Sequence, residues 1–178
     1  MITQQTGAAS AGIGAGSESG ANGHDQANQD GFCQLVTCRV DKEEYAVDIL
    51  SVQEINRMVE ITRVPKAPSF VEGVINLRGR IIPVLDLRRR FGLEEVERTE
   101  GSRIVVVMVR GRVIGLIVDS VMEVLRIPKS MIEPPPALGP MAGSDFIHGV
   151  GKINDRLLTL LDLNRLLTPA ESSAMAGA

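Results

Sequence analysis

The sequence predicts a mainly β protein, built as two small five-stranded barrels packed side by side with a few short helices. Three observations lead there. Apolar residues alternate over short runs, tight-turn residues separate those runs, and nearly everything after Phe32 occurs twice. At an offset of 76 positions, Phe70-Val71-Glu72-Gly73-Val74 returns as Phe146-Ile147-His148-Gly149-Val150, and Arg80-Ile81-Ile82 through Leu85-Asp86-Leu87 returns as Arg156-Leu157-Leu158 through Leu161-Asp162-Leu163. At other offsets, as unequal loops require, Val52-Gln53-Glu54-Ile55 resembles Val121-Met122-Glu123-Val124, and Arg63-Val64-Pro65-Lys66 resembles Arg126-Ile127-Pro128-Lys129.

Residues 1–30 are rich in Gly, Ala, Ser and Gln, and Ile2 and Ile13 are their only branched aliphatics, so a disordered tail is expected. Gly12, Gly14 and Gly16 have the spacing of a phosphate loop, but no strand precedes them and no helix pattern follows. Val36, Cys38 and Val40 alternate before a turn at 41–44, and Tyr45, Val47 and Ile49 alternate after it, which predicts a hairpin with one buried face. Its counterpart runs from Arg103 to Val109, turns at Arg110-Gly111-Arg112 and returns from Val113 to Val118; it is apolar almost throughout, as a hairpin buried on both sides between the halves would be. A second hairpin runs from Gly73 to Leu77, turns at Arg78-Gly79 and returns from Arg80 to Leu85, with Gly79 free to take a positive φ; Asn154-Asp155 holds the same place later. Pro83 cannot donate a hydrogen bond, which places its strand at an edge or beside a bulge. Asp86 and Asp162 stand as N-caps before short helical segments, Leu87 to Phe91 and Leu163 to Leu167. The folded domain is thus expected over 31–168, with a first barrel at about 32–92, a second at about 103–168, and a disordered end over 169–178. Closed barrels are preferred over open sheets because sheets this small would leave unprotected edges.

Composition removes several function classes. A net charge of −3 and 3% aromatic residues supply neither a broad cationic footprint nor stacking rings for nucleic acid. Cys33 and Cys38 share one strand but point to opposite faces, so they are read as buried small hydrophobes of a reducing cytoplasm, with no disulfide. Two cysteines and two histidines fall short of a metal site at recognised spacing, and neither a metal nor another cofactor is expected. No apolar run approaches the roughly 20 residues that cross a bilayer. No Lys or Arg precedes Arg39, so no secretory signal is expected either. His24 lies in the tail and His148 at the equivalent of Glu72, which leaves no nucleophile with an oriented base; Asp86 and Asp162 are explained as caps, and no catalysis is expected. One basic cluster remains: Arg78, Arg80, Arg88, Arg89 and Arg90 could hold a phosphate, a nucleic acid or a carboxylate-rich partner. Arg88 to Arg90 read more simply as a solvated edge. For Arg78, at the apex of a tight turn, binding and surface decoration stay equally open, as does a salt bridge to Glu54.

The run Tyr45-Ala46-Val47-Asp48-Ile49, then Val52-Gln53-Glu54-Ile55, then the stretch from Phe70 to Gly79 reading FVEGVINLRG, resembles the CheW family of chemotaxis coupling proteins. The likeness continues through Ile81 to Arg88, the Gly115 to Leu125 segment, Pro134-Pro135-Pro136 and Leu160-Leu161-Asp162, covering about 32–168. The resemblance implies two SH3-like barrels and a non-enzymatic adaptor. Such an adaptor bridges the regulatory domain of the histidine kinase CheA to the cytoplasmic tip of methyl-accepting chemoreceptors. It implies a cytoplasmic protein that joins membrane receptor arrays through its partners, with no insertion of its own and no nucleic acid bound. Carried over by motif, Val52, Glu54, Gly73, Arg78 and Gly149 fall on receptor-coupling positions. The kinase contacts are not placed, beyond an exposed apolar patch expected at the end of each barrel. The alternatives are a tandem barrel that binds nucleic acid through the arginine cluster, and a coupling protein of a chemosensory pathway other than swimming.

Overall fold

The computed structural model describes residues 31–137 and 144–175, so the tail expected over 1–30 lies outside the described residues. In the first half, β1 (Phe32–Val40) and β2 (Glu43–Asp48) form the first hairpin, β3 (Val52–Arg57) follows, and β4 (Val71–Leu77) and β5 (Arg80–Asp86) lead into α1 (Leu87–Arg90). In the second half, β6 (Arg103–Val109) and β7 (Arg112–Val118) form the matching hairpin, followed by β8 (Ser120–Pro128), β9 (Ile132–Glu133), β10 (Ile147–Ile153), β11 (Arg156–Leu161) and finally α2 (Pro169–Ala174). The tight turns take the left-handed conformations expected of them. Arg78 and Gly79 have φ of 52° and 80°, and Asn154 and Asp155 have 47° and 62°. Asp86 caps α1 by accepting from the N–H groups of Arg88 and Arg89, and Asp162 accepts from that of Asn164.

The two halves of the sequence are not the two barrels. One sheet has the order β8-β1-β2-β11-β10-β9 and the other β3-β6-β7-β5-β4. Each half therefore gives its first hairpin to the other half's sheet, which corrects the barrel boundaries of 32–92 and 103–168. The reason is chain length. A repeat shows which strands are equivalent but not which copy pairs with which, whereas the connection does. Between β7 and β8 stands the single residue Asp119. Two Cα steps reach about 7 Å. Pairing β8 with its own hairpin would mean crossing two strand spacings, about 10 Å, and starting again from the opposite end of the sheet. Passing to the adjacent sheet is the route left, and β8 pairs with β1 instead.

The exchange creates three apolar layers. Ile75, Ile82, Ile104, Val106 and Ile117 fill one barrel, and Leu35, Ala46, Ile127, Ile153 and Leu158 fill the other. Between them lies the largest layer, including Val36, Cys38, Val40, Val105, Val107, Val109, Leu85 and Leu161. Alternate residues of β6 thus face different layers, and that hairpin is buried on both sides as its composition predicts. Cys33 packs at the margin of one barrel interior and Cys38 lies in the layer between the barrels, on opposite faces of β1 as expected; Cys38 is buried, but Cys33 is only partly so, because it stands near the start of the strand.

One expectation holds in its second form and one needs revision. β5 lies between β4 and β7 rather than at an edge, but Pro83 does stand beside a bulge: the β4–β5 register shifts between Val71 and Gly73, opposite Leu85 and Val84, and the parallel ladder with β7 begins only at Val84. The end expected to be disordered over 169–178 instead carries α2 over its described part, residues 169–175, and the rest of that expectation lies outside the described residues. Thr168 and Glu171 form a reciprocal capping box with Pro169 at the start, and Arg90 holds Glu171 through two contacts of 3.1 Å.

Asp119, the crossover residue, is pinned from both sides. Its carboxylate receives Arg88 Nε at 2.9 Å and Nη2 at 2.7 Å, and the Asp41 N–H at 2.7 Å. Burial pushes its pKa up, but the Arg88 and Asp41 hydrogen bonds outweigh that and hold it below the usual carboxylate range. A carboxylate depressed on folding stabilises the fold above its unfolded pKa, and that contribution disappears as pH falls through the folded value. The thermal midpoint is therefore expected to fall as pH drops below about 4, and less steeply in Asp119→Asn, whose midpoint at neutral pH is already lower by the equivalent of about 1–2 kcal/mol. Thermal melts of both proteins from pH 7 to pH 3 check this. A second expectation follows from the exchange: residues 31–100 produced alone give the circular dichroism of an unfolded chain, and regain strand signal on mixing with residues 101–178.

Candidate functional site

Arg78 sits at the apex of the β4–β5 turn, which the Gly79 N–H closes onto Asn76 Oδ1 at 2.9 Å. Its guanidinium meets Glu54 Oε2 at 2.9 Å, and Asn56 donates to the other oxygen of Glu54 at 3.1 Å. Glu54 belongs to β3 and Arg78 to the β4–β5 hairpin, at opposite ends of the strand order, so this pair joins the two margins of a curled sheet. The salt bridge left open by the sequence is present, and its side chains are unequally exposed, 80% for Arg78 against 21% for Glu54. Exposed pairs of this kind contribute about 0–1 kcal/mol, so the contact orients Arg78 more than it stabilises the fold. Most of the guanidinium still faces solvent.

Val52 and Glu54 bracket a bulge at Gln53, where two residues of β3 oppose one step of β6. Val52 then packs against the layer between the barrels while Glu54 reaches the surface. A depression of about 370 Å³ lies there, lined by Gln53, Glu54, Leu77, Arg78, Arg80 and Ile82. Glu54 and Arg78 are thus brought together, while Val52, on the same strand, turns toward the layer between the barrels and does not line this depression. Gly73 and Gly149 are not part of this surface; they occupy equivalent bulges in β4 and β10. A Cβ on Gly73 would run into the Thr62 carbonyl, and one on Gly149 would lie 2.8 Å from the Glu133 carbonyl oxygen and 2.6 Å from Ile132 Cγ2. Both positions are glycine because another backbone segment crosses directly over them: Thr62 bridges Val74 as Glu133 bridges Val150.

The second barrel repeats the closure with a shift. Arg156, equivalent to Arg80, meets Glu123 at 2.7 Å, and Glu123 is equivalent to Glu54. The turn residue there is Asn154, so the second barrel displays no arginine at its apex.

The arginine cluster does not act as one surface. Arg88 holds Asp119, and Arg89 contacts Glu72 at 3.0 Å and Glu95 at 2.7 Å. Arg90 lies over the rings of Phe70 and Phe146, 4.1 and 4.8 Å from their centroids, while gripping Glu171. These three are largely covered and bound to carboxylates, so Arg88 to Arg90 are neither a solvated edge nor a phosphate site. The acidic partners at positions 41, 72, 95, 119 and 171 are scattered along the chain, which hides the pairing from the sequence. The nucleic-acid alternative loses three of its five arginines to these contacts. Among the described residues, no group of three or more His, Cys, Asp or Glu side chains is placed to hold a metal. Burial pushes the Cys38 thiol up to about 12. Among the described residues no helix is long and apolar enough to cross a membrane.

An exposed apolar patch is expected at each barrel end, but the sequence does not name its residues. Ile81 and Leu157 hold equivalent places one step past the two hairpin turns, and both are turned outward, 63% and 59% exposed. Around Ile81, a depression of about 320 Å³ is lined by Pro83, Met108 and Met175 together with the polar Arg80, Arg112 and Ser172. The residues beside Leu157 are charged, with Arg156 bound to Glu44 and Glu123.

The family model described as the CheW-like domain matches residues 34–171. The chain is 38% identical over 129 residues to the chemotaxis protein CheW of Klebsiella aerogenes, covering 72% of this chain and 78% of that one. It is 35% identical over 141 residues to the probable chemotaxis protein CheW of Rhizobium etli, covering 79% and 91%. The crystal structure of the scaffolding protein TtCheW from Thermoanaerobacter tengcongensis superposes with a TM-score of 0.71 at 40% identity, over 75% of this chain and 91% of that one.

If Gly73 serves close approach rather than contact, Gly73→Ala should lower stability by about 1–3 kcal/mol, the usual cost of overpacking. A lowered urea midpoint with an unchanged slope is the expected result; unchanged stability would return Gly73 to the list of contact residues.

Proposed function

The chain belongs to the CheW-like family of chemotaxis coupling and scaffolding proteins, and from that membership we propose that it is a non-enzymatic cytoplasmic adaptor coupling the histidine kinase CheA to methyl-accepting chemoreceptors. The observation that carries the receptor side is Arg78: a guanidinium held on a rigid turn by Glu54, outward-facing, beside a shallow depression whose floor includes Leu77 and Ile82. A receptor tip would dock there, with Glu54 shaping the margin, Val52 fixing the same strand to the layer beneath, and Gly73 maintaining a backbone crossing in the same barrel; Gly149 maintains the equivalent crossing in the other barrel. On the kinase side the reading is supported by Ile81 and Leu157, which give each barrel an exposed apolar residue at the hairpin end. The regulatory domain of CheA is the partner assigned to these ends.

Coupling of this kind needs no reaction. A module that binds kinase and receptor at once raises the effective concentration of each near the other, and a shared core holds their relative geometry. The exchange of hairpins suits that task, because movement of one barrel against the other would have to disturb the layer between them. A member of the family serving another chemosensory pathway would use the same surfaces with different partners.

Arg78→Glu reverses the charge at the apex and sets two carboxylates against each other, at a stability cost within about 1 kcal/mol. The variant should remain folded, lose capture by an immobilised receptor tip, and keep capture by the regulatory domain of CheA. Pull-downs on the two baits check this; receptor capture equal to the unsubstituted protein removes Arg78 from the site.

A further inference from the structure

On the barrel that contains β1 and β10, a cavity of about 530 Å³ is lined by residues that include Cys33, Asp48, Lys129, His148, Asp162 and Asn164. Its meaning comes from the other barrel. There the equivalents of Cys33, His148 and Asp162 are Ser102, Glu72 and Asp86, and the connection between the halves lies against all three. Arg98 reaches Glu72 at 3.2 Å and Asp86 at 3.5 Å, Thr99 and Ser102 exchange hydrogen bonds, and Glu95 meets Arg89 at 2.7 Å. An acidic residue and an arginine three positions later thus fasten an extended segment across that face.

Among the described residues, the cavity side retains the receiving charges without such a segment. Asp162 occupies the place of Asp86, and Arg165 the place of Arg89. Arg165 is 63% exposed, with Asp162 at 3.8 Å, whereas Arg89 is 23% exposed and bound to two carboxylates. The chain leading into β1 holds no arginine before Arg39, so it cannot supply the equivalent of Arg98. We propose that this cavity is a docking site for a short extended segment of a partner protein carrying an acidic residue followed three positions later by an arginine. The arginine pairs with Asp162 and the acidic residue with Arg165. The site lies on the opposite barrel from the Glu54 and Arg78 surface and is independent of what binds there.

The probe is a fluorescent peptide with the sequence of residues 93–100, LEEVERTE, titrated into the full chain by anisotropy. Saturable binding is expected, weakened about fivefold when the arginine of the peptide is replaced by alanine, as for a partly exposed ion pair. Arg165→Glu should weaken binding similarly, and a peptide with arginine in place of the glutamate equivalent to Glu95 should restore it. Cys33 reports the location: Cys38 is buried, so alkylation of the folded chain reads Cys33, and the bound peptide should slow it. The proposal is overturned by absence of saturable binding, by affinity that neither charge change alters, or by binding that leaves Cys33 alkylation unchanged. If Cys33 is already protected without peptide and no peptide binds, the N-terminal segment of the chain itself is the occupant and the partner-docking proposal fails.

Discussion

A single residue, Asp119, joins β7 to β8, and the architecture depends on how little chain that is. With no length to return across its own hairpin, the second half must continue on the neighbouring sheet, and the first half does the same after the short turn at Ile49–Ser51. The result is a reciprocal exchange in which each barrel holds strands of both halves. Its energetic consequence is the layer between the barrels, where Val36, Cys38 and Val40 meet Val105, Val107 and Val109. A barrel of this size buries too little apolar surface to be secure alone, and here neither half could complete one. Arg88 and Asp41 fasten Asp119 in place, so charge secures the point at which the covalent path is tightest.

The same economy governs the arginines. A desolvated guanidinium is costly unless its donors are matched, and Arg88, Arg89 and Arg90 each find carboxylates. Arg90 adds two ring faces, Phe70 from one half and Phe146 from the other, so one cation binds equivalent residues of both copies. Three adjacent positive charges therefore produce no positive surface. What the protein displays instead are isolated features, Arg78 at a turn and Ile81 and Leu157 at hairpin ends, each on rigid backbone.

Much of this was legible in the sequence because it is local. Alternation in Tyr45, Val47 and Ile49, the turn pairs Arg78-Gly79 and Asn154-Asp155, and the caps Asp86 and Asp162 depend on neighbours a few residues away. The exchange was not legible, because the repeat is identical whether the hairpins pair within a half or across; only the one-residue length of the β7–β8 connection carries the information, and it matters once strand ends are known. The ion pairs were hidden for the same reason: Arg90 and Glu171 are far apart in the chain. Pro83 was legible only as a choice between an edge and a bulge, because a missing N–H is tolerated in either place; the bulge in β4 opposite Val84 and Leu85 decides it. At the site, Glu54 and Arg78 could be named together from the motif, but the role of Gly73 required seeing Thr62 cross above it.

A duplicated scaffold also separates structural residues from binding residues without reference to any other protein. Where both halves keep the same device, the fold explains it: Glu54 and Glu123 each receive an arginine that closes the barrel, and Gly73 and Gly149 each admit a crossing strand. Where the halves differ, the scaffold makes no demand, since the other copy stands without the residue. Arg78 against Asn154 is such a difference: the second barrel closes through Arg156, which shows that closure does not require an arginine at the turn. The closure itself therefore does not dictate where its arginine sits, and the first barrel differs from the second in carrying that arginine at the exposed apex, which is what the receptor contact proposed above makes use of.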